Sequence, residues 1–330
     1  MNPPLVSVLL ASRNGSRFLP EALESLARQT YPAIELLLVD DGSTDQTGVI
    51  LREFARSHPT ARLFQSDGIG LAGALALAAR AASGTFLARQ DDDDRSHPER
   101  IAREVEHLMS HPRDGVVGTG ASLIDVDGQK VTRYRVIVDR DAIRRSLKRA
   151  TPFVHGSIMI RRDVYERAGG YRKAFRAAQD YDLWLRVPTD VGLWNIPEPL
   201  YEWRFHPRGM FARARSEQIF YAALGRAFAE ERAATGTDSI ELLELLNDRR
   251  ESFLEQYPRA DRLRVLWGES LVREGRVSEA RGLLRRALTS PRSSATALAW
   301  WLVSWPVALT PRARRHAAQS RRAARTEAAG

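Results

Sequence analysis

The sequence predicts an α/β fold, a doubly wound and mostly parallel sheet followed by a helical appendage. Three observations carry this. Apolar runs rich in β-formers recur at 5–11, 34–39, 61–64 and 84–88, without polar alternation, as strands covered on both faces do. Helical spacing fills the intervals between them, and strands alternating with helices build parallel sheets. Beyond Ser216 the pattern is helical throughout. The expected domains are therefore an α/β domain over 1–215 and a helical region over 216–330.

Each element has its local reason. After the first run, Ser12-Arg13-Asn14-Gly15 is a turn. Phe18, Leu19, Ala22, Leu23 and Leu26 then recur at helical spacing, and the helix should stop near Tyr31-Pro32. The second strand ends at Asp40-Asp41-Gly42-Ser43-Thr44-Asp45, where Asp45 can cap a helix carrying Val49, Ile50 and Phe54. An Ala-rich helix over 70–82 leads to the fourth strand, and that strand runs into Asp91-Asp92-Asp93-Asp94.

Four adjacent carboxylates repel one another and cannot all be buried without counter-charge. Ser96 reads as an N-cap, Glu99 as the partner in a capping box and Pro98 as a first-turn residue, so a helix should follow the run. The acidic run then lies at a strand's carboxyl end, where open α/β sheets bind ligands. Hard oxygen ligands there suit Mg²⁺ or Mn²⁺ held together with nucleotide phosphates. The alternative is a solvated acidic loop. No P-loop follows a strand, and a nucleotide bound at the acidic run would have its phosphates neutralised by a metal.

Asp125-Val126-Asp127-Gly128 joins 115–124 to 131–137 as a hairpin, and 139–149 reads as a basic helix. The stretch 151–160 is a loop entering a strand; its His155 is either a structural histidine or a ligand contact. In Gln179-Asp180-Tyr181-Asp182, Asp180 opens a short helix whose apolar stripe is Leu183, Trp184 and Val187. A carboxylate there is stabilised as an anion, and its bland role is an N-cap. A closing strand over 199–207 brings in His206, either a ligand or a surface histidine. Arg208 and Arg213 could serve a lid over a diphosphate.

At 330 residues, 43% hydrophobic, the chain can build a large core and an appendage. The absence of cysteine excludes disulfides, thiolate zinc sites and cysteine nucleophiles. A net charge of +9 favours polyanionic partners: nucleic acid, an anionic membrane or a phosphorylated substrate. Met1-Asn2-Pro3-Pro4 lacks the basic segment of a signal peptide, so a cytoplasmic location is expected. The helical region reads as 219–233, 239–256, 263–274 and 277–288, the last two faintly like one tetratricopeptide hairpin. The uncharged stretch 293–311 holds Trp300, Trp301 and Trp305 and precedes an Arg-rich tail. Peripheral contact through 293–325 with the inner face of the cell membrane is one expectation. The other is that the tryptophans cap the helical core.

Ser7-Val8-Leu9-Leu10-Ala11-Ser12-Arg13-Asn14, Leu38-Val39-Asp40-Asp41-Gly42-Ser43-Thr44-Asp45 and Ala88-Arg89-Gln90-Asp91-Asp92-Asp93-Asp94 together resemble the family 2 glycosyltransferases. The likeness extends over about 5–206. It implies a GT-A fold, inverting transfer from a nucleotide sugar, uridine diphosphate favoured, and an Asp-x-Asp metal motif. Asp41 would contact the nucleobase, with Ala11 and Arg13 lining its pocket. Asp91 would sit by ribose and metal, Asp92 in the variable middle position, and Asp93 would be the principal ligand. His206 would approach the metal or diphosphate. Asp180 would be the general base, although Gln179 stands where the family commonly has Glu. Ala76 stands where the family often has Asn, so that helix is assigned no donor contact. The resemblance also implies a glycan or lipid-linked acceptor in cell-envelope polysaccharide or glycoconjugate synthesis. Competing readings are a nucleotidyltransferase, whose Gly-rich signature Ser12-Arg13-Asn14-Gly15 matches poorly, and a nucleic-acid-binding protein, for which no motif is present.

Overall fold

The structure, a computed structural model, describes residues 3–205, 215–246, 249–288 and 294–304. The chain divides into two compact units, 1–215 and 216–330.

In the first unit, β1 (Val6–Ser12) is buried at every position and β2 (Ile34–Asp41) at all but its first two. Together with β3 (Ala61–Ser66) and β4 (Phe86–Gln90) they form the order β3-β2-β1-β4, all parallel. Helices α1 (Leu19–Ala27), α2 (Thr47–Ser57) and α3 (Gly70–Ala81) make the crossovers. Val8, Leu10, Leu38, Phe86 and Ala88 pack with Leu23, Leu26 and Leu51 in one core. Coverage on both faces is why these strands carry no polar alternation.

The sheet is mixed beyond β4. Strand β8 (Met159–Arg161) lies antiparallel to both β4 and β6 (Asp114–Ile124), so β4 and β6 run the same way. β6 pairs in parallel with β9 (Gly192–Arg204), and β7 (Lys130–Tyr134) folds back on β6 across the Asp125–Gly128 turn. The short β5 (Arg95–Ser96) pairs with β9. Helices α4 (Arg100–Ser110), α5 (Arg140–Ser146), α6 (Arg162–Arg167) and α7 (Gln179–Trp184) complete the unit.

Several sequence expectations are corrected. Ser96 is a strand residue whose hydroxyl donates to Gln90 Oε1 at 2.6 Å. Helix α4 begins at Arg100 without a side-chain cap, so the Ser96–Glu99 capping box does not form. β4 starts and ends two residues later than 84–88, reaching Gln90, and β9 begins at Gly192 rather than 199. Asp45 does not occupy the N-cap of α2, which is Gln46, but it accepts the Thr47 N–H at 2.9 Å.

The second unit contains α8 (Arg215–Thr235), α9 (Ile240–Leu245), α10 (Arg250–Gln256), α11 (Ala260–Arg273), α12 (Val277–Ala287) and α13 (Ser294–Val303). The single helix expected over 239–256 is two. α11 and α12 form the expected hairpin, turned at Gly275 with φ +78°, a conformation that favours glycine. Gly268 lets the pair close: a Cβ there would lie 2.7 Å from Leu284 Cγ. Leu271, Ala280 and Leu284 pack with Ile219, Trp300 and Trp301, and Arg273 lies 5.5 Å from the Trp300 ring centroid. Trp300 and Trp301 therefore help to cover the helical core. Trp305 and the Arg-rich tail lie outside the described residues. Among the described residues no helix is long and apolar enough to cross a membrane.

Candidate functional site

The acidic run lies between β4 and β5, at the carboxyl edge of the parallel half. It is held from beneath by buried cations. Arg89, almost wholly buried, donates to Asp91 Oδ1 at 2.5 Å and to Leu9 O at 3.3 Å. Arg204, also buried, donates through Nε to Asp93 O at 2.8 Å, through Nη1 to Asp125 O at 3.1 Å and through Nη2 to Glu21 Oε2 at 2.8 Å. The Tyr201 hydroxyl accepts the Asp91 N–H at 3.2 Å and hydrogen-bonds to Asp94. Asp94 Oδ1 also accepts the Arg204 N–H at 2.7 Å. Ser12 Oγ donates to Asp92 Oδ2.

These partners hold the loop, but the carboxylates remain crowded. Burial, then Asp93 and Asp91, pushes Asp92 up to about 7 despite the Ser12 hydrogen bond. Burial and the same two neighbours push Asp94 well above the usual carboxylate range. The four carboxyls cannot all ionise at ordinary pH beside these arginines, and crowded hard oxygen donors suit a divalent cation that would take the place of the protons.

Loops after β1 and β2 wall the neighbouring side. Asn14, with φ +55°, accepts the Thr44 N–H at 2.8 Å, and Gly15 N–H donates to Thr47 Oγ1 at 2.9 Å. Asp45 is held down to about 2: hydrogen bonds from Ser16 and Thr47 outweigh its small desolvation. Asp41 is buried and already accepts from Ser66 Oγ at 2.7 Å, Ile69 N–H at 2.7 Å and Gly70 N–H at 2.9 Å. Its carboxylate thus shapes the 66–70 loop, and a nucleobase would have to share it. Arg13 lies against the same loop, since a Cβ on Gly68 would come 3.2 Å from its Nη1. Ala11 is buried near the end of β1.

Asp180 occupies the first turn of α7, two residues after Ala178, whose φ is +52°. A non-glycine residue held there is strained, and such strain clusters at functional sites. Asp182, one turn face away, is fully buried and paired with Arg186 at 2.8 Å. His155 Nε2 lies 2.8 Å from the Tyr171 hydroxyl. Burial lowers the His155 pKa; the Asp180 and Asp91 charges oppose that shift and Arg89 assists it. Burial likewise raises Tyr171, which also feels Asp180 and Asp91. One His–Tyr pair therefore lies within electrostatic reach of both the acidic run and Asp180. Gly156 makes this approach possible: a Cβ there would lie 2.6 Å from Asp91 Oδ2.

Sequence reasoning missed Arg89, Gly156, Tyr171, Tyr201 and Arg204. An arginine inside an apolar strand just before an acidic run is the one signal that could have found Arg89. His206, Arg208 and Arg213 lie outside the described residues.

A second group stands at the other edge of the sheet. Because β4 and β6 run the same way, Asp114 at the start of β6 lies opposite the end of β4. His107, His111 and Asp114 have candidate ligand atoms within 4.8 Å of one another. Asp114, however, already accepts two hydrogen bonds from Arg140, and one of its oxygens lies 2.8 Å from His107 Nε2.

A family model described as Glycosyl transferase family 2 matches residues 7–169. EpsE of Bacillus subtilis (strain 168), itself assigned as a glycosyltransferase, is 37% identical over 207 residues, covering 61% of this chain and 73% of its own. The amylovoran biosynthesis glycosyltransferase AmsE of Erwinia amylovora is 30% identical over 206 residues, covering 61% and 76%. Among solved structures, the mannosyltransferase PcManGT of Pyrobaculum calidifontis, in complex with GDP-Man and Mn²⁺, matches with a TM-score of 0.56 at 21% identity, over 96% of this chain and 84% of that one.

Proposed function

The chain belongs to glycosyl transferase family 2, and from that premise we propose that it moves a sugar from a nucleoside-diphosphate sugar, uridine diphosphate favoured, to an acceptor hydroxyl by one inverting displacement. The observation that carries the proposal is the convergence of Asp91 and Asp180 on the His155–Tyr171 pair. That shared influence supports reading the acidic cluster as a donor site with Asp180 as the base beside it.

Asp180 takes the proton from the acceptor hydroxyl as that oxygen attacks the anomeric carbon. The free N–H groups of the first turn of α7 favour its anionic form. His155, kept neutral by burial, leaves that task to Asp180 and orders Tyr171 at the edge of the site. Ala11, Arg13 and the 66–70 loop held by Asp41 form the wall for the nucleobase. Asp93 and Asp91 would hold Mn²⁺ or Mg²⁺, with Asp92 beside them and His206 as a further ligand. When bound, the cation would offset charge on the diphosphate and on the departing nucleoside diphosphate. The role of AmsE in amylovoran biosynthesis supports an acceptor in cell-envelope polysaccharide synthesis, either a glycan or a lipid-linked saccharide.

A thermal-shift series tests this reading. Uridine diphosphate with Mn²⁺ should raise the midpoint more than either alone, because a ligand bound only to the native state stabilises it. Guanosine diphosphate serves as the comparison. If no nucleoside diphosphate moves the midpoint with or without Mn²⁺, the donor assignment fails.

A further inference from the structure

Between β6 and the His155 loop lies a segment that the transfer reaction does not use. Lys130, Arg133, Arg135, Arg140, Arg144, Arg145, Lys148 and Arg149 face only Asp139 and Asp141 within 130–150. Eight cations less two anions is +6, out of +9 for the whole chain. Some of these charges are spent locally. Arg140 pairs with Asp114, Arg145 with Asp139 and Lys130 with Glu202, and Arg144 donates to Pro188 O. Arg133, Arg135, Lys148 and Arg149 are exposed and have no carboxylate partner among the described residues.

The same segment exposes apolar side chains. Nine large apolar residues are exposed within 3–205: Val49, Ile69, Leu71, Met109, Val131, Tyr134, Ile137, Val138 and Phe205. Four of the nine fall in 131–138, and Phe205 joins them, its N–H bonded to Ile124 O at the mouth of the hairpin. Every residue of β7 is exposed. Exposed aliphatic groups interleaved with unpaired arginines are costly in water and need a partner that is both apolar and anionic.

We propose that this hairpin and the adjoining end of α5 dock on an anionic lipid surface. Val131, Ile137 and Val138 would enter the headgroup boundary while Arg133, Arg135, Lys148 and Arg149 meet the lipid charge. Three other occupants fit less well. A second copy pairing through the free edge of β7 would bring like charges together. Nucleic acid would meet the arginines through its phosphates but would leave Val131, Ile137 and Val138 without an apolar partner. A soluble anionic glycan would leave the aliphatic groups without a partner. The strip also adjoins the acidic run: Val136 packs against the cluster of Ala121, Val154 and Tyr201, and the Tyr201 hydroxyl receives the Asp91 N–H. A bilayer docked there would stand close to the acceptor side. The inference goes beyond the proposed reaction and is read without turnover.

The test is flotation of the full chain with vesicles of phosphatidylcholine, with and without 30% phosphatidylglycerol. Wild type should float with the anionic vesicles and stay behind with the neutral ones. The quadruple variant Arg133→Glu, Arg135→Glu, Lys148→Glu, Arg149→Glu should lose at least tenfold in bound fraction, and Val131→Ser with Val138→Ser several-fold. Thermal midpoints and nucleotide-induced shifts should be unchanged, since all six side chains are exposed and none belongs to the site. Flotation of the quadruple variant equal to wild type would overturn the assignment and move lipid contact to the C-terminal tail. So would absence of wild-type flotation, retention of wild type on RNA but not on vesicles, or concentration-dependent dimerisation abolished by the same substitutions.

Discussion

Two clusters of titratable side chains, Asp91–Asp94 and His107–His111–Asp114, occupy opposite edges of one sheet, and they are electrostatic opposites. At the end of β4, burial and neighbouring carboxylates push Asp92 up to about 7. At the start of β6, Asp114 is buried too, yet hydrogen bonds and charge from His107 and Arg140 overcome its burial and hold it down to about 2. The carboxyls of the first cluster lack the cations that would let all of them ionise, whereas the carboxylate of the second is satisfied by protein. Compactness of ligand atoms alone would choose the second as a metal site. Charge balance chooses the first, because a cation at Asp114 would have to displace a bidentate guanidinium.

Breaking the first cluster should have the largest effect. Asp93→Ala should abolish the Mn²⁺-dependent component of nucleotide binding and reduce transfer by roughly 10³-fold or more, the scale of losing a transition-state charge stabiliser. Calorimetric titration of uridine diphosphate with Mn²⁺ checks it. Unchanged affinity in a folded variant would transfer the metal elsewhere.

Asp180→Asn comes next. The amide keeps the shape of the first turn of α7, so folding and nucleotide binding should persist while transfer falls by about 10²–10⁴-fold. Wild-type turnover in this variant would leave Asp180 as a helix-end residue only.

The comparison also shows what the sequence could and could not convey. Unalternated runs such as 34–39 announced buried parallel strands because a doubly covered strand has no polar face. The acidic run and Asp180 were legible as chemistry because carboxylates at element ends are conspicuous. Ser96 and Glu99 misled: the local capping pattern lost to pairing with β9 and to the Gln90 side chain. The supports of the site were illegible for a different reason. Tyr201 meets Asp91 across 110 residues, and Gly156 matters only because Asp91 happens to lie beside it. Buried Arg89, Arg100 and Glu104 contradict the expectation that charge lies outside, and only three-dimensional pairing makes them tolerable.

Glu104 sharpens the comparison because it lies on α4, the helix that runs from one cluster to the other. It is fully buried 3.9 Å from Arg100, and burial raises it from 4.5 to about 8 against the pull of that arginine. A carboxyl raised on folding keeps a proton that the unfolded chain releases. Stability from this group is therefore full below about pH 4.5 and is lost as pH rises toward 8. Glu104→Gln imitates the neutral form. Its stability should match wild type near pH 5 and exceed it near pH 8 by an amount on the order of a few kcal/mol. Urea midpoints at the two pH values measure this, and parallel curves would mean that Glu104 remains ionised and paired throughout.

The smallest effect is expected where the charge is already balanced. Asp114→Asn keeps the size of the side chain and one acceptor oxygen, but it deprives Arg140 of a bidentate carboxylate and His107 of its partner. Because Arg140 is itself about half exposed, with 45% of its side chain open to solvent, water compensates part of the loss. The cost should be about 1–3 kcal/mol. Its pH dependence runs opposite to that of Glu104. A carboxylate lowered on folding contributes stability above its ordinary pKa of 3.8 and loses it as pH falls toward about 2. Wild type and Asp114→Asn should therefore differ at pH 6 and converge near pH 2 to 3. Mn²⁺ should move the thermal midpoint of Asp114→Asn as much as that of wild type, and that of Asp93→Ala much less. The reverse pattern, with the Mn²⁺ response lost in Asp114→Asn and kept in Asp93→Ala, would show that the His107–His111–Asp114 group holds the cation and that charge balance had chosen the wrong edge of the sheet.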